Sequence, residues 1–197
     1  MLIWMCALHC EAKPLIDFYK LKKSAGKEAY DLYQCDQMAC IVSGIGEQKM
    51  AQAVDWGARL FASTDQPCWI NLGIAGDKHL PIGSAVLASR VSQLDNTGQT
   101  HWYETSSPPT DHFISKPVTS LSRELSDYDE TTLYDMEAAA FFRTAIHYSP
   151  AERCHSIKII SDNSENPAHR NKARISQLIA DNMPAITDYA TQLIKPR

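Results

Sequence analysis

Four stretches of this chain are largely apolar and of strand length: LIWMCAL at residues 2–8, a continuous apolar run, MACIVS at 38–43, CWINLGIAG at 68–76, and SIKIISDN at 156–163, which ends in polar residues. Strands with one wet face alternate apolar and polar residues; runs like these need cover on both faces. Between them lie helical spacings. EAKPLIDFYKLKK places Leu15, Ile16, Phe18 and Tyr19 together, and EQKMAQAVDWGARLFAS carries apolar positions 50, 53, 54, 57, 58, 60 and 61 on one side. Two-sided strands alternating with helices predict an α/β fold with a central, mostly parallel sheet flanked by helices. GSAVLASRV and HFISKPVTS add strands, MEAAAFFRTAIHY a helix, and one long helix is expected over about residues 169–194. Residues 92–111 and 122–131 are polar and turn-rich, yet no stretch has the character of a linker and no repeat is found. We expect one domain over residues 1–197.

Composition removes several functions. The formal net charge is −4 and no Lys/Arg stripe exists, which argues against a nucleic-acid partner. Lys20, Lys22 and Lys23, the densest basic patch, are expected at a solvated helix end. No apolar run approaches the roughly 20 residues of a membrane span. The N-terminus has no positive segment and meets an acid at Glu11, so a buried first strand is expected there rather than a signal peptide. Six scattered cysteines form no C-x-x-C pair and are expected to be reduced core residues, without a metal, in a cytoplasmic protein.

In folds of this class, ligands bind beyond the carboxyl ends of the strands. Those ends offer Glu11 after the first strand, Gly44 and Gly46 after the second, Gly73, Ala75 and Gly76 after the third, and Ser161 and Asp162 after the last. The segment LYDMEAAAFF (133–142) then sets a puzzle, because Asp135 and Glu137 lead into a strongly apolar helix. Charges go inside only when something pairs with them. Either these acids are helix-start residues in water, favoured by the helix dipole, or one of them awaits a polar partner outside the chain. Asp135 fits the first description better and Glu137 the second. Asp162 also reads as part of an Asp-Asn turn or a helix cap, and Glu11 as an exposed helix-start acid.

Taken in order, ALHCEAKPL, VSGIGEQKMAQAV, INLGIAGDKHLPIGSAVLASRV, DMEAAAFF and IISDN resemble the nucleoside phosphorylase and nucleosidase superfamily. They look most like its branch of methylthioadenosine/S-adenosylhomocysteine nucleosidases and futalosine hydrolases, over nearly the whole chain. The resemblance implies that Glu137 accepts hydrogen bonds from the ribose 2′ and 3′ hydroxyls, with Met136 against the sugar. An acceptor-only carboxylate suits two adjacent hydroxyls. It implies that Asp162, positioned by Ser161, is the general acid toward purine N7, for which it must arrive protonated. Glu11 would activate the attacking water in an oxocarbenium-like transition state, as in glycoside hydrolysis. Ala75 and Gly76 would let backbone approach the ligand, and Leu8 and Ile45 would line an apolar pocket at the nucleoside 5′ end, although both also suit a core. The resemblance implies no cofactor.

Three departures bear on this resemblance. The segment before DMEAAAFF is short, so the base-stacking aromatic does not map; His101, Trp102, Tyr103 and Phe113 are candidates by type alone. Ile74 replaces a small polar residue. Lys158, a site cation, stands for the branch's usual arginine and lacks its planar fork. Asn71 stands where the phosphorylases carry a phosphate-binding arginine, which favours water over phosphate as nucleophile. Lys13, Arg90 and Lys158 remain as possible cations. The expected activity is an N-glycosidase on a methylthioadenosine-like purine nucleoside. The alternatives are a phosphate-dependent nucleoside phosphorylase and a non-catalytic nucleoside binder, and a homo-oligomer is expected in each case.

Overall fold

Trp4 and Trp69 are completely buried although both lie in strands, and they pack in different core layers, so the sheet is covered on each face. The computed structural model describes residues 1–94, 100–106, 110–122, 128–167 and 171–194. Parts of both polar stretches, Pro108, Pro109 and His169 lie outside them. The chain runs β1 (Leu2–Cys6), α1 (His9–Tyr19), β2 (Lys22–Lys23), β3 (Asp31–Cys35), β4 (Met38–Val42), α2 (Glu47–Leu60), β5 (Cys68–Gly76), β6 (Ala85–Leu94) and β7 (Thr100–Glu104). It continues with β8 (Ile114–Ser120), β9 (Leu133–Asp135), α3 (Ala138–Ala145), a single 3-10 turn at Ala151–Arg153, β10 (Cys154–Asp162), α4 (Lys172–Asp181) and α5 (Met183–Ile194).

The strands form one mixed sheet. β1 pairs in parallel with β4 and β5, and β5 with β10, giving the parallel centre that the apolar runs predicted. β10 pairs antiparallel with β6, which joins β8 and β9 in parallel. β9 returns to β5 through the single pair Gly76–Tyr134, so β5, β10, β6, β8 and β9 close on themselves as a barrel. β3 and β2 extend the β4 edge, and β7 pairs with β6; these pairings are antiparallel.

Alternation along β1 sorts the core into two layers. Ile3 and Met5 pack with Trp69, the α2 residues Met50 and Val54, and Phe141 and Phe142 of α3. Leu2, Trp4 and Cys6 pack with Leu15 of α1, Ile157, Ile159 and the C-terminal residues Ile179, Ile186 and Tyr189. The single long C-terminal helix is corrected by the structure. It breaks at Asn182, whose side-chain amide donates to the carbonyls of Leu178 and Gly83, and a new helix starts with Pro184 in its first turn, where proline needs no N–H partner. All six cysteines are free; Cys6, Cys40, Cys68 and Cys154 are buried, while Cys35 is exposed on β3.

Candidate active site

The carboxyl ends of β5 and β10 lie side by side, with Lys158 opposite Gly73 and Asp162 opposite Gly76. Gly73 and Gly76 are about 10 Å apart along the strand, and different side chains gather at each, Glu11 and Lys158 at Gly73 and Asp162 and Tyr128 at Gly76.

Around Gly73 stand Glu11, Asp135, Glu137 and Lys158, all buried. Glu11 occupies the third position of α1. Its Oε2 accepts from the Leu8 backbone N–H at 2.8 Å and its Oε1 from that of Ile74 at 3.1 Å. It is a helix-start acid, as one alternative had it, but at 3% exposure it is not a solvated one. Burial pushes its carboxyl up, against the pull of the Leu8 and Ile74 N–H groups and Lys158. A Cβ on Gly73 would lie 3.1 Å from Glu11 Oε1 and 3.5 Å from Lys158 Nζ, so a glycine lets both side chains close over the strand.

Asp135 has its partners within the chain. Its Oδ2 accepts from Lys158 Nζ at 2.7 Å and from the N–H groups of Glu137 and Ala138 at 3.3 and 2.8 Å, and its Oδ1 accepts from the Ser120 hydroxyl at 2.5 Å. Ser120 Oγ in turn accepts from the Ala139 N–H at 2.9 Å. Asp135 therefore serves the start of α3, but from inside the fold rather than from water. The alanines after it are all buried and bring α3 close. Burial tends to discharge Lys158, yet Asp135, Glu137 and Glu11 outweigh it and hold the ammonium above its ordinary range.

Glu137 is different. Its Oε1 accepts from the Gly46 N–H at 2.7 Å, delivered by a glycine at φ 99° at the start of α2, a conformation that side-chain-bearing residues avoid. Burial, then Asp135, push the Glu137 carboxyl up to about 7, with Lys158 opposing and Glu11 adding. Between about 4.3, its unfolded value, and about 7, the folded chain holds a proton that the unfolded chain has lost, so rising pH favours unfolding. Stability is expected to fall across that window by on the order of 3 kcal/mol. Urea unfolding at a series of pH values checks this, and Glu137→Gln should flatten the loss.

Around Gly76 stands the second group. Asp162 Oδ1 accepts from the Ser161 hydroxyl and Oδ2 from the Tyr128 phenol. The turn and cap roles open to Asp162 in the sequence fall to its neighbour: Asn163 Oδ1 accepts from the N–H groups of Glu165 and Asn166. Tyr128 stacks on Tyr134 with centroids 5.8 Å apart.

The arrangement matches solved structures across its whole length. An MTA/SAH nucleosidase superposes with a TM-score of 0.76 at 17% identity, covering 99% of this chain and 96% of that one. The S-adenosylhomocysteine nucleosidase of Streptococcus pyogenes, in complex with 5-methylthiotubericidin, gives 0.74 at 18% identity, covering 99% and 97%. A mutant nucleosidase of Helicobacter pylori with 5′-methylthioadenosine in its active site gives 0.72 at 15% identity, covering 95% and 97%. The fold is that of the nucleosidases. No protein-family model and no curated protein sequence matches the chain.

Within this nucleosidase fold, the residues named from the sequence fall at one end of the sheet. Leu8 is half-buried and Ile45 exposed, so neither is core. Ala75 and Ser161 adjoin each other, the Ser161 hydroxyl lying 3.4 Å from the Ala75 carbonyl. Met136 is half-buried between Asp135 and Glu137. Asn71 is structural: its amide donates to the Met5 carbonyl and its Oδ1 accepts from Ser156. Lys13 is spent on an exposed pair with Asp17, and Arg90 lies over the Trp102 ring, 4.1 Å from its centroid.

The structure gives the four aromatic candidates for stacking these surroundings. Trp102 and His101 are exposed on β7, Tyr103 packs on Phe142, and Phe113 on Tyr189. The aromatic at Asp162 is Tyr128, which the sequence analysis passed over. Its signal was its type, a lone aromatic within the acidic run SDYDE.

Proposed function

We propose that this chain is a cytoplasmic N-glycosidase that hydrolyses the N-glycosidic bond of a methylthioadenosine-like purine nucleoside, working as one domain and as a homo-oligomer. The observation that carries the proposal is the separation of its acids. Glu11 and Glu137 gather with Lys158 at Gly73, while Asp162 stands apart with Ser161 at Gly76. A nucleoside spans such a gap with its ribose at one end and its base at the other.

Glu137 takes the ribose hydroxyls, with Met136 against the sugar face. Leu8 and Ile45 flank the 5′ group, and Ala75 and Gly76 lie under the base. Asp162 gives its proton to purine N7 as the C1′–N9 bond breaks, so the bonding pair leaves with a neutral base. The sugar gains oxocarbenium character. Three carboxyl groups against one ammonium leave the Gly73 group acid-rich even with Glu137 raised to about 7, which suits a developing cation. Water attacks C1′ and gives its proton to Glu11, whose burial makes it a stronger base than an exposed glutamate. Lys158 holds Asp135 and restrains the charge of the cluster.

Phosphorolysis would need cations for a dianion. Asn71 and Lys158, the site positions that would face it, are committed to Met5, Ser156 and Asp135. The nucleosidase neighbours, two of them with methylthioadenosine or an analogue named with them, support the substrate class. The test is a panel of methylthioadenosine, S-adenosylhomocysteine, adenosine, inosine, uridine and futalosine, with and without phosphate, read by mass spectrometry. Free base and free sugar without phosphate are expected. Sugar phosphate formed only when phosphate is present would replace the hydrolase with a phosphorylase.

A further inference from the structure

On the nucleosidase reading, the base lies over Gly76 and against Asp162, and in this structure that place is taken. The Tyr128 phenol donates to Asp162 Oδ2. Its Cζ and hydroxyl both lie 2.6 Å from where a Cβ on Gly76 would stand, as does Asp162 Oδ2. The ring stacks on Tyr134, 27° from parallel. Tyr128 is 7% exposed, although Asp129 and Glu130 beside it are exposed. A flat base cannot cover Gly76 and reach Oδ2 while that ring is there, because packed atoms do not share volume. A cavity of about 360 Å³ adjoins the same segment, lined by Asp129, Thr131 and Tyr134 among others, so there is room for the phenol to turn aside.

We propose that Tyr128 is the chain's own occupant of the nucleobase subsite, so that Tyr128 and the base compete for Asp162. This rests on the nucleosidase reading. It makes Tyr128 a specificity-determining residue, since a base is accepted only when its stacking and its bond to Asp162 exceed those of the phenol. A purine, with its broad face and its N7 acceptor, meets that condition; a pyrimidine has neither. The apparent affinity is lowered by the fraction of molecules in which Tyr128 is seated.

Calorimetric titration of free adenine into the full chain, Tyr128→Phe and Tyr128→Ala tests this, with steady-state kinetics on methylthioadenosine alongside. Removing the phenol's bond to a carboxylate is expected to tighten adenine binding by about tenfold in Tyr128→Phe. Tyr128→Ala should tighten it at least as much, with KM falling by more than kcat changes. Melting curves report whether each variant is folded, and Tyr128→Phe decides the matter should the alanine variant unfold. Equal or weaker adenine binding in Tyr128→Phe, with turnover retained, would overturn the competition and leave the nucleosidase standing. No adenine binding and no turnover in any of the three proteins would overturn both.

Discussion

Asp162→Asn is expected to lower kcat on the purine nucleoside by about 10²–10⁴-fold, the usual contribution of a positioned general acid or base. Asparagine keeps the shape and one acceptor oxygen for either the Ser161 hydroxyl or the Tyr128 phenol, but it has no acidic proton to give to N7. Substrate affinity should change far less, because the ribose contacts proposed for Glu137 would lie at the other end of the site. Glu11→Gln should cost a similar factor for the opposite reason. Its amide fills the same space but cannot take a proton from water, and its NH₂ faces one of the Leu8 and Ile74 N–H groups, each of which needs an acceptor. Single-turnover kinetics separate the two variants from any binding defect. Robust turnover by Asp162→Asn would remove the acid role.

Lys158→Met is expected to destabilise the fold by about 3–5 kcal/mol, the cost of breaking a buried ion pair by deleting one member. Both charges of the Lys158–Asp135 pair are essentially inaccessible to water. Without the ammonium, Asp135 keeps Ser120 and two backbone donors but no countercharge. Glu11 and Glu137 lose the same cation. For a chain of this length the melting temperature should drop by roughly 10 °C. The double variant Lys158→Met/Asp135→Asn should recover part of the loss, because it removes the stranded charge as well. Thermal unfolding of Lys158→Met, Asp135→Asn and the double variant against the parent measures the coupling. A Lys158→Met protein as stable as the parent would contradict a stabilising role for the Lys158–Asp135 pair.

The sheet centre was legible because β1, β4, β5 and β10 are covered on both faces, which forces continuous apolar runs. The same logic hid the edges. β3 reads DLYQC and β7 reads THWYE, largely exposed strands whose polar residues resemble loop. β9 is three residues long and exists because β8 and β5 hold it. The order of the site motifs named a fold that the structure reproduces. The environment of Asp135 was not legible, since its countercharge lies 23 residues downstream on another strand and no local pattern announces it. Glu137 is buried beside it, and among the described residues its carboxylate accepts from the Gly46 backbone N–H, 91 residues upstream, which no local pattern announces either. Tyr128 was missed because its burial comes from Gly76 and Tyr134, contacts made by the barrel's closure rather than by neighbours in sequence.

The most direct test is a crystal structure of the Asp162→Asn chain with methylthioadenosine, which such a variant should retain uncleaved. The ribose 2′ and 3′ hydroxyls should lie within hydrogen-bond distance of Glu137. The purine should lie over Gly76 with N7 toward residue 162, the Tyr128 ring turned aside, and a water between Glu11 and C1′. A nucleoside bound elsewhere, such as in the cavity beside Trp102, with Tyr128 still on residue 162, would contradict the assignment of this site.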